Sequence, residues 1–525
     1  MQFDYVVVGA GSAGCALAAR LSEDSARSVC LLEAGGRGRS FLIDVPVMLA
    51  VTVPRTLHNW AFETVPQTGL NGRKGYQPRG MGLGGSSAIN AMIYMRGHPA
   101  DYDDWAAAGN FGWGWNDVLP VFRRSEHNER GADAFHGTGG PLNVADQRSP
   151  NPASLAFVEA GVQAGHSRND DFNGPRQEGV GLYQVTQKGG RRWSAARAYL
   201  DPAAERGNLT VLTEARALCL CLEGRTCTGV EIIQGRTRRT LQARRETILC
   251  AGAFGSPHLL LLSGIGPADE LAAHEIALRH ELPGVGKHLQ DHVDYVIGYL
   301  SAAPGLIGLT PRGLANLALG YLRYRKEGGG ILASNVAESG GFLKSGAQLA
   351  RPDLQLHFTI GLVADHGRDR TPRYGFSCHV CVLRPKSRGS VGLASADPLA
   401  PPRIDPAFLT HEEDLRALQR GVRMTLDVLE QRALERFRGR NVFGEAGASD
   451  DALATLVRER ADTVYHPAGT CRMGTDEMAV VDPELRVRGI ERLRVADASI
   501  MPTLIGGNTN APAIMIGERA ADLIR

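Results

Sequence analysis

The chain has 525 residues, of which 43% are hydrophobic and 22% charged, and its formal net charge is +2. This length predicts more than one domain, and the composition is ordinary for a soluble globular protein. The small net charge gives no support for nucleic acid or a strongly acidic partner. No run approaches about 18 uninterrupted apolar residues, so no membrane span is expected.

The cysteines predict a reducing, cytoplasmic location. There are nine of them, several in apolar runs, which is typical of buried thiols. The first strand begins within a few residues of Met1, so no secretory signal is expected before it. Cys219-Leu220-Cys221 and Cys378-His379-Val380-Cys381 suggest a metal site, but no second Cys/His pair stands at zinc spacing from either. We interpret both as strand residues and predict no metal.

The first motif follows an apolar run, Tyr5–Val8. Gly9, Gly11 and Gly14 form the pattern G-x-G-x-x-G, and a helix is predicted over residues 12–21. In such a turn the first glycine permits the bend, the second lets a pyrophosphate approach, and the third allows close helix packing. A second strand, residues 29–32, ends in Glu33, where a carboxylate can accept a hydrogen bond from a ribose hydroxyl. This order of elements predicts dinucleotide binding.

Two further segments are rich in small residues. Residues 79–90 carry four glycines in the six positions 80–85, which suits a backbone lying against a flat or phosphorylated group that Ser87 and Asn90 can hydrogen-bond. Residues 250–253, Cys-Ala-Gly-Ala, end a predicted strand in the same way.

The order of predicted elements implies an inserted domain. Residues 208–250 read as a small β-meander of five strands, and residues 353–395 alternate as further strands. Helical patterns occupy about 411–433 and 450–461, and a final helix is predicted over residues 512–524. We predict one domain assembled from the beginning, middle and end of the chain, with a second inserted from roughly residue 300 to 460.

His466 is the best candidate for a catalytic base. Pro467 restricts its backbone, and an imidazole has an unperturbed pKa suited to proton transfer near neutrality. Asn508 or Asn510, in a loop entering the last helix, can hold a substrate oxygen. Asp291-His292 suggests a carboxylate–histidine pair, although positioning a loop is the favoured interpretation, and His357 is a weaker candidate for lining a pocket.

Together these segments resemble the glucose–methanol–choline (GMC) family of flavoprotein oxidoreductases. The resemblance extends from residue 4 to the C-terminus and rests on residues 8–14 with Glu33, 79–90, 252–266, 466–474 and 494–510. Within the family the chain is similar to the choline-dehydrogenase-like branch, especially to bacterial membrane-associated dehydrogenases of primary aliphatic alcohols, through residues 57–66, 334–342 and 506–511.

The resemblance implies an α/β fold, with a Rossmann-like FAD-binding domain and an inserted α+β substrate domain built on an antiparallel sheet. The implied FAD-binding domain comprises residues 1–158, 201–300 and 462–525, and the substrate domain residues 159–200 and 301–461. The residues implied to contact FAD are Gly9, Gly11, Ser12, Ala13, Gly14, Glu33, Ala34, Arg79, Gly80, Gly84, Gly85, Ser86, Asn90, Ala91, Ala251, Gly252, Asp497, Ala498, Asn510 and Ala511. The Gly85–Asn90 stretch lacks the histidine that binds flavin covalently in some members, so non-covalent FAD is expected.

The implied reaction is oxidation of a primary alcohol, aliphatic or aromatic, to an aldehyde. His466 would take the hydroxyl proton, Asn510 would hold the same oxygen, and hydride would pass to flavin N5. The alternatives are an alcohol oxidase that reduces O₂ to H₂O₂, and a non-redox lyase or photodecarboxylase on the same fold. The intact His466-Pro467 disfavours the decarboxylase, whose relatives lack that histidine. Glu338 remains an unassigned carboxylate.

The electron acceptor is expected to be a quinone or another component of a respiratory chain. Residues 311–327 place Leu314, Leu317, Ala318, Tyr321 and Leu322 at helical spacing, ahead of a basic end at Arg323, Arg325 and Lys326. Such a helix can lie in a membrane interface, peripheral to the inner face of the cytoplasmic membrane. An internal lid over the substrate channel is the alternative interpretation.

Overall fold

The first of two large sheets is parallel and carries an antiparallel extension. The computed structural model describes residues 1–525. Along this sheet the strands follow the order Leu209–Leu212, Val29–Leu32, Gln2–Val8, Thr237–Leu249, Thr226–Gln234 and Ala215–Glu223, and Leu493–Val495 also pairs with Thr237–Leu249. The strands from Leu209–Leu212 to Thr237–Leu249, and Leu493–Val495, are parallel to their neighbours. Their continuous apolar runs fit a sheet buried on both faces.

One long strand joins the parallel and antiparallel parts. The last two strands of the predicted five-strand meander were expected at residues 240–243 and 246–250, but Thr237–Leu249 is a single strand of 13 residues. Its first half pairs antiparallel with Thr226–Gln234, and its second half pairs parallel with Gln2–Val8. The polar residues between the two predicted strands lie in a strand that changes partner, so they do not form a turn.

The second sheet is antiparallel throughout. Its strands follow the order Asp462–Thr463, Val293–Leu300, Gly375–Val382, Leu354–Thr359, Ser339–Leu343 and Gly179–Leu182. The helix Glu412–Leu429 packs on this sheet, and a side chain at Gly421 would lie 2.8 Å from Val380 and 3.0 Å from Leu354. The other helices of nine or more residues are Ser12–Leu21, Pro99–Ala107, Trp115–Ser125, Pro152–Gln163, Gly252–Leu262, Pro311–Glu327, Asp450–Arg460 and Asn510–Ile524.

The predicted α/β class with an antiparallel second sheet is confirmed, but two of the predicted domain bounds differ from the sheets. Val293–Leu300, which the sequence placed with the first domain, is the second strand of the antiparallel sheet. The helix Pro152–Gln163, half of it assigned to the first domain, packs on that sheet too, with Phe157 stacked 4.8 Å from Phe358. The apolar sequence of a strand is compatible with either sheet, and the strands with which it pairs determine the sheet to which it belongs.

All nine cysteines are free thiols. Cys219 and Cys221 lie on the strand Ala215–Glu223, and Cys378 and Cys381 on Gly375–Val382, as the strand interpretation predicted. No helix combines the length and the apolar character needed to cross a bilayer.

A buried charge cluster joins residues near 96, 126–136 and 171. The Arg96 guanidinium pairs with Glu126, and both side chains are fully buried. His136 Nδ1 lies 3.0 Å from Glu126 Oε1, and its Nε2 lies 2.9 Å from Asp171 Oδ2. Burial opposes a charge on His136, but the hydrogen bonds to Asp171 and Glu126 outweigh it and raise its pKa to about 9.

This cluster predicts a loss of stability at alkaline pH. Because the pKa of His136 in the folded protein exceeds the usual value of about 6.5, its contribution to the free energy of unfolding is complete below about pH 6.5. That contribution is lost as the pH rises through about 9. Between pH 6.5 and 9.5 the melting temperature of the native chain should therefore fall further than that of His136→Gln. The more exposed His166→Gln is the control, and equal falls in all three proteins would contradict the prediction.

Candidate active site

One long cavity of ≈ 610 Å³ lies between segments from both sheets. The predicted cofactor residues that line it are Gly9, Gly11, Ser12, Ala13, Glu33, Ala34, Arg79, Gly80, Gly85, Ser86, Asn90, Ala91, Ala251, Gly252, Asp497, Ala498 and Asn510. Gly14, Gly84 and Ala511 are not on its wall. The structure thus brings together segments that are far apart in the chain.

The three glycines of the first turn have different physical roles. Gly9 has φ +106°, and a side chain there would come within 2.5 Å of the Cys250 carbonyl oxygen. A side chain at Gly14 would lie 1.9 Å from the Gly9 carbonyl oxygen, so this position lets the helix approach the strand. A side chain at Gly11 would meet only the Cys250 oxygen, at 3.9 Å, because it would project into the cavity.

The N-terminus of the helix Ser12–Leu21 lies beside Gly11 on the cavity wall. No side chain caps the helix Ser12–Leu21, whose N-cap is Gly11, so its first N–H groups have no side-chain acceptor. Gly252 also faces open space, since a side chain there would meet no atom within 4 Å. Uncapped N–H groups at a helix N-terminus bind phosphate readily. This end of the cavity therefore fits the pyrophosphate of a dinucleotide.

The predicted ribose ligand, Glu33, is held by backbone N–H groups. Its carboxylate accepts from Ala10 at 3.1 Å, from Gly35 at 2.8 Å and from Gly82 at 2.9 Å. Burial raises its pKa to about 7, against the effect of these bonds. Glu33 thus joins the first glycine turn to the second glycine-rich segment, and it still lines the cavity. Its role toward a ribose stays a prediction.

Asp497 holds the small-residue segment 250–253 in place. One carboxylate oxygen accepts from the Gly252 N–H at 2.9 Å and from Ser256 Oγ at 2.6 Å, and the other accepts from the Ser499 N–H at 2.8 Å. The side chain therefore fixes the Gly252 turn against the end of the first sheet.

His466 sits at the other end of the cavity, in a strained backbone segment. The preceding residue, Tyr465, has φ +76°, a left-handed conformation that is costly for a bulky side chain. Arg79 donates to the Tyr465 carbonyl at 2.8 Å, and the His466 N–H donates to Asp291 Oδ1 at 2.9 Å. Asp291 also accepts from Thr463 Oγ1 at 2.6 Å. These bonds fix the direction in which the imidazole leaves the backbone.

The His466 ring contacts two polar side chains. Its Nδ1 lies 3.0 Å from Nδ1 of His292, and its Nε2 lies 3.2 Å from Nδ2 of Asn508. Burial lowers the pKa of His466 well below the usual value, and His292, His357 and Arg79 act in the same direction. His466 is consequently neutral near neutral pH and can accept a proton.

A chain of hydrogen bonds fixes the Asn508 amide. Tyr183 donates its hydroxyl to the Leu356 carbonyl at 2.6 Å, so the Tyr183 oxygen acts as acceptor for Gln355 Nε2 at 3.4 Å. Gln355 Nε2 also donates to Asn508 Oδ1 at 2.9 Å. The Asn508 Nδ2 group is therefore the one that faces His466, and it can donate to an oxygen bound there.

Asn510 does not occupy the predicted catalytic position. Its Oδ1 accepts from Ser12 Oγ at 2.7 Å, which ties the last helix to the first one. Of the two amides that the sequence left open, Asn508 is the one beside His466, and the assignment of Asn510 as its partner is corrected. Asn510 remains on the cofactor part of the cavity wall.

The structure also decides between the other candidates. Asp291 does not pair with the neighbouring His292 and instead positions the His466 backbone, as the loop-positioning interpretation predicted. His357 lines the cavity, as proposed, and burial lowers its pKa to about 3. Glu338 is structural, since it accepts from Ser334 Oγ at 2.6 Å and from the Asn151 N–H at 2.6 Å.

His379 is a cavity residue that was not predicted from the sequence. It lies opposite His357 in the register of the second sheet and lines the cavity, while its Nδ1 lies 2.6 Å from Asp294 Oδ2. The only signal in the sequence was the Cys378–Cys381 pattern, which we interpreted as strand. The register of two antiparallel strands brings the two imidazoles together.

A large part of the remaining cavity wall is aliphatic. This part is formed by three segments, with the side chains of Val47, Met48, Leu49, Val51, Val53, Ile307, Leu309, Leu314, Leu317, Leu362 and Val363. His366, Asp369 and Arg373 also line the cavity. Leu309 and Leu314 are 56% and 55% exposed, so this wall reaches the protein surface. The cavity is thus polar at His466, and its aliphatic part extends to the solvent.

The geometry defines a dinucleotide-binding protein with a base at the far end of the cofactor cavity, and comparison with known proteins gives the family. Family models described as GMC oxidoreductase match residues 3–294 and 385–517. The chain belongs to the GMC oxidoreductase family, and the predicted membership is confirmed.

Similar proteins cover the whole chain. An "Alcohol dehydrogenase [acceptor]" of Pseudomonas putida is 48% identical over 100% of this chain and 96% of its own. An "Oxygen-dependent choline dehydrogenase" of Sinorhizobium fredii is 44% identical with the same coverage. Among solved structures, an FAD-dependent oxidoreductase from Chaetomium thermophilum is 26% identical, with a TM-score of 0.90 over 99% of both chains.

The two loop amides predict distinct mutant phenotypes. Asn508→Ala should reduce the rate of substrate oxidation, on the order of 10²-fold, because it removes the N–H donor that lies beside the candidate base His466. Asn510→Ala should instead weaken cofactor retention, because it loses the bond to Ser12. Flavin absorbance after gel filtration and single-turnover reduction rates separate the two effects. Loss of rate confined to Asn510→Ala would restore the original assignment.

Proposed function

We propose that the protein is an FAD-dependent dehydrogenase that oxidises primary alcohols, aliphatic or aromatic, to aldehydes and passes the electrons to a quinone-type acceptor. The observation that carries the proposal is the pairing of a neutral, buried His466 with the Asn508 amide at the end of a dinucleotide cavity. The relatives described above, one of them an alcohol dehydrogenase, support the same reaction class.

The residues of the cavity fit FAD. Gly11 and the uncapped helix behind it would hold the pyrophosphate, Glu33 the adenosine ribose, and Gly252 with Asp497 the ribityl side. The stretch Gly85–Asn90 contains no histidine, so the cofactor is held without a covalent bond there. When bound, FAD accepts the hydride from the alcohol carbon at N5.

His466 and Asn508 bind the alcohol oxygen together. The Asn508 Nδ2–H group donates to the oxygen, and the oxygen's own proton points to Nε2 of His466. Transfer of that proton to His466 leaves an alkoxide, whose charge the Asn508 donor stabilises. A positioned base of this kind contributes about 10²–10⁴-fold. The positioning comes from the Asp291 bond to the His466 backbone and from the Arg79 bond to the strained Tyr465 before it.

The walls of the cavity indicate the substrate class. Beyond the polar end, residues 47–53, 307–317 and 361–364 contribute aliphatic side chains. The charged side chains of Asp369 and Arg373 also line the cavity, but they pair with each other at 3.1 Å. Glu338, the unassigned carboxylate, is already satisfied by Ser334 and Asn151. These features favour uncharged alcohols with an apolar chain.

His466→Ala should retain FAD but lose most of the reduction rate, roughly 10²-fold or more. Its ring bonds to His292 and Asn508, neither of which is a predicted cofactor residue. Stopped-flow bleaching of the flavin by alcohol without oxygen measures this rate. Since the pKa of His466 lies well below 6.5, the native rate should hold at pH 6 and fall only in stronger acid. His166→Ala, outside the cavity, is the control, and an equal rate in His466→Ala would remove this residue from the mechanism.

The proposed acceptor is a quinone in a membrane, reached through the helix Pro311–Glu327. Within this helix only Gly313 is buried, while Leu319 and Leu322 are 74% and 72% exposed. Leu314 and Leu317 belong to the cavity wall, so the helix lies at the rim of the cavity while most of its other side chains face solvent. Exposed apolar side chains beside Arg325 and Lys326 suit the interface of an anionic membrane.

The rim helix predicts a difference between two acceptors. Alcohol-reduced protein should be reoxidised by a long-chain quinone in anionic vesicles and by a soluble quinone, but slowly by air. Leu319→Glu with Leu322→Glu should lower only the vesicle rate, about 10-fold or more, since charges on the apolar face oppose insertion. Leu399→Glu, an exposed site elsewhere, is the control. Rapid reoxidation by air with stoichiometric peroxide would identify an alcohol oxidase instead.

A further inference from the structure

The base His466 is one of three groups in a hydrogen-bonded row. His292 Nε2 lies 3.2 Å from the Leu383 carbonyl oxygen, and His292 Nδ1 lies 3.0 Å from Nδ1 of His466. The two rings meet nearly at right angles, at 86°, with centroids 5.1 Å apart. His292 is fully buried, and the row begins at the Leu383 carbonyl, directly after the strand Gly375–Val382 of the second sheet.

The Leu383 carbonyl determines which atom donates in each hydrogen bond of this row. A carbonyl oxygen only accepts, so His292 must carry its proton on Nε2. Burial, with the nearby Arg384 charge, lowers the pKa of His292 to about 3, which keeps the ring neutral. A neutral ring with a proton on Nε2 has a lone pair on Nδ1, so His466 must donate from its own Nδ1. The Nε2 atom of His466 is then the unprotonated one.

This arrangement places the lone pair of His466 where the reaction needs it. Nε2 faces Asn508 Nδ2 at 3.2 Å, on the cavity side, whereas Nδ1 faces the protein interior. In the opposite tautomer, Nε2 would carry a hydrogen toward the Asn508 donor and toward the substrate hydroxyl. It could accept no proton, and Nδ1 would be left opposite the lone pair of His292.

We propose that His292 is a positioning residue that fixes the proton of His466 on Nδ1, and so makes Nε2 the base. This inference rests on the proposed alcohol oxidation. His292 lies behind His466 and does not line the cavity, so it acts through the base. When His466 gains the alcohol proton, its Nδ1–H bond to His292 becomes charge-assisted and stabilises the imidazolium.

Other charged or titratable groups around His466 do not set its tautomer. Asp291 bonds to the backbone N–H of His466 and not to its ring, and Arg79 donates to the Tyr465 carbonyl. His357 faces Asn508 Nδ2 at 3.5 Å. His292 is the only one of these groups that bonds to Nδ1 of the base.

The test combines a tautomer measurement with a rate. In holoenzyme labelled with ¹⁵N-histidine, two-bond ¹H–¹⁵N spectra should show His466 protonated at Nδ1, with its signal assigned by loss in His466→Ala. His292→Leu, which removes the acceptor, should reduce this population and slow anaerobic flavin reduction by about 10- to 100-fold, within the contribution of a positioned base. His292→Asn, whose Oδ1 can accept near the position of Nδ1, should recover much of both.

The matched control is His280→Leu, which removes an imidazole–carbonyl bond of 2.9 Å to Arg488 outside the cavity and should change neither readout. A wild-type spectrum with the His466 proton on Nε2 would overturn the proposal, even if His292→Leu does not fold. An unchanged tautomer and rate in a folded His292→Leu protein would also overturn it. If alcohols reduce no variant, the proposed reaction fails, while the spectrum still tests the tautomer.

Discussion

The active site depends on the hydrogen bond between the buried carboxylate of Asp291 and the backbone of His466. It lies just before the strand Val293–Leu300 of the second sheet, and it accepts from the His466 N–H and from Thr463 Oγ1. A buried carboxylate is costly unless its oxygens are hydrogen-bonded, and here that requirement is met by the segment that carries the base. The position of His466 is therefore a consequence of satisfying a charge in the core.

The two sheets contribute different chemistry to one cavity. The parallel sheet ends in glycine turns and an uncapped helix, which present backbone N–H groups to a phosphorylated ligand. The antiparallel sheet presents side chains, with His357 and His379 opposite each other in register. Cofactor binding thus depends on backbone shape, whereas the treatment of the substrate depends on side-chain identity. The aliphatic wall, supplied by connecting segments, can vary without disturbing either sheet.

Local patterns in the sequence predicted the strands and the helix around the first glycine turn well. The strand, the glycine turn, the helix Ser12–Leu21 and Glu33 all lie within a short stretch, so their spacing carries the geometry. The base end was less predictable. Asn508 and Asn510 are two residues apart in one loop, and the choice between them depends on Gln355 and Ser12, which lie 153 and 498 residues away from their respective partners. No local signal encodes such contacts, and the same holds for the sheet that Val293–Leu300 joins.

The topology of the first sheet has a consequence for biosynthesis. Its innermost strands come from residues 2–8 and 29–32, but Leu493–Val495 adds the last parallel strand, and a side chain at Gly517 in the final helix would lie 2.3 Å from the Ala13 carbonyl oxygen. The strands and the helix near the N-terminus are therefore synthesised long before the C-terminal strand and helix that complete their sheet and core. During synthesis their apolar strands remain without a complete core, which is the condition under which nascent chains aggregate or require chaperones.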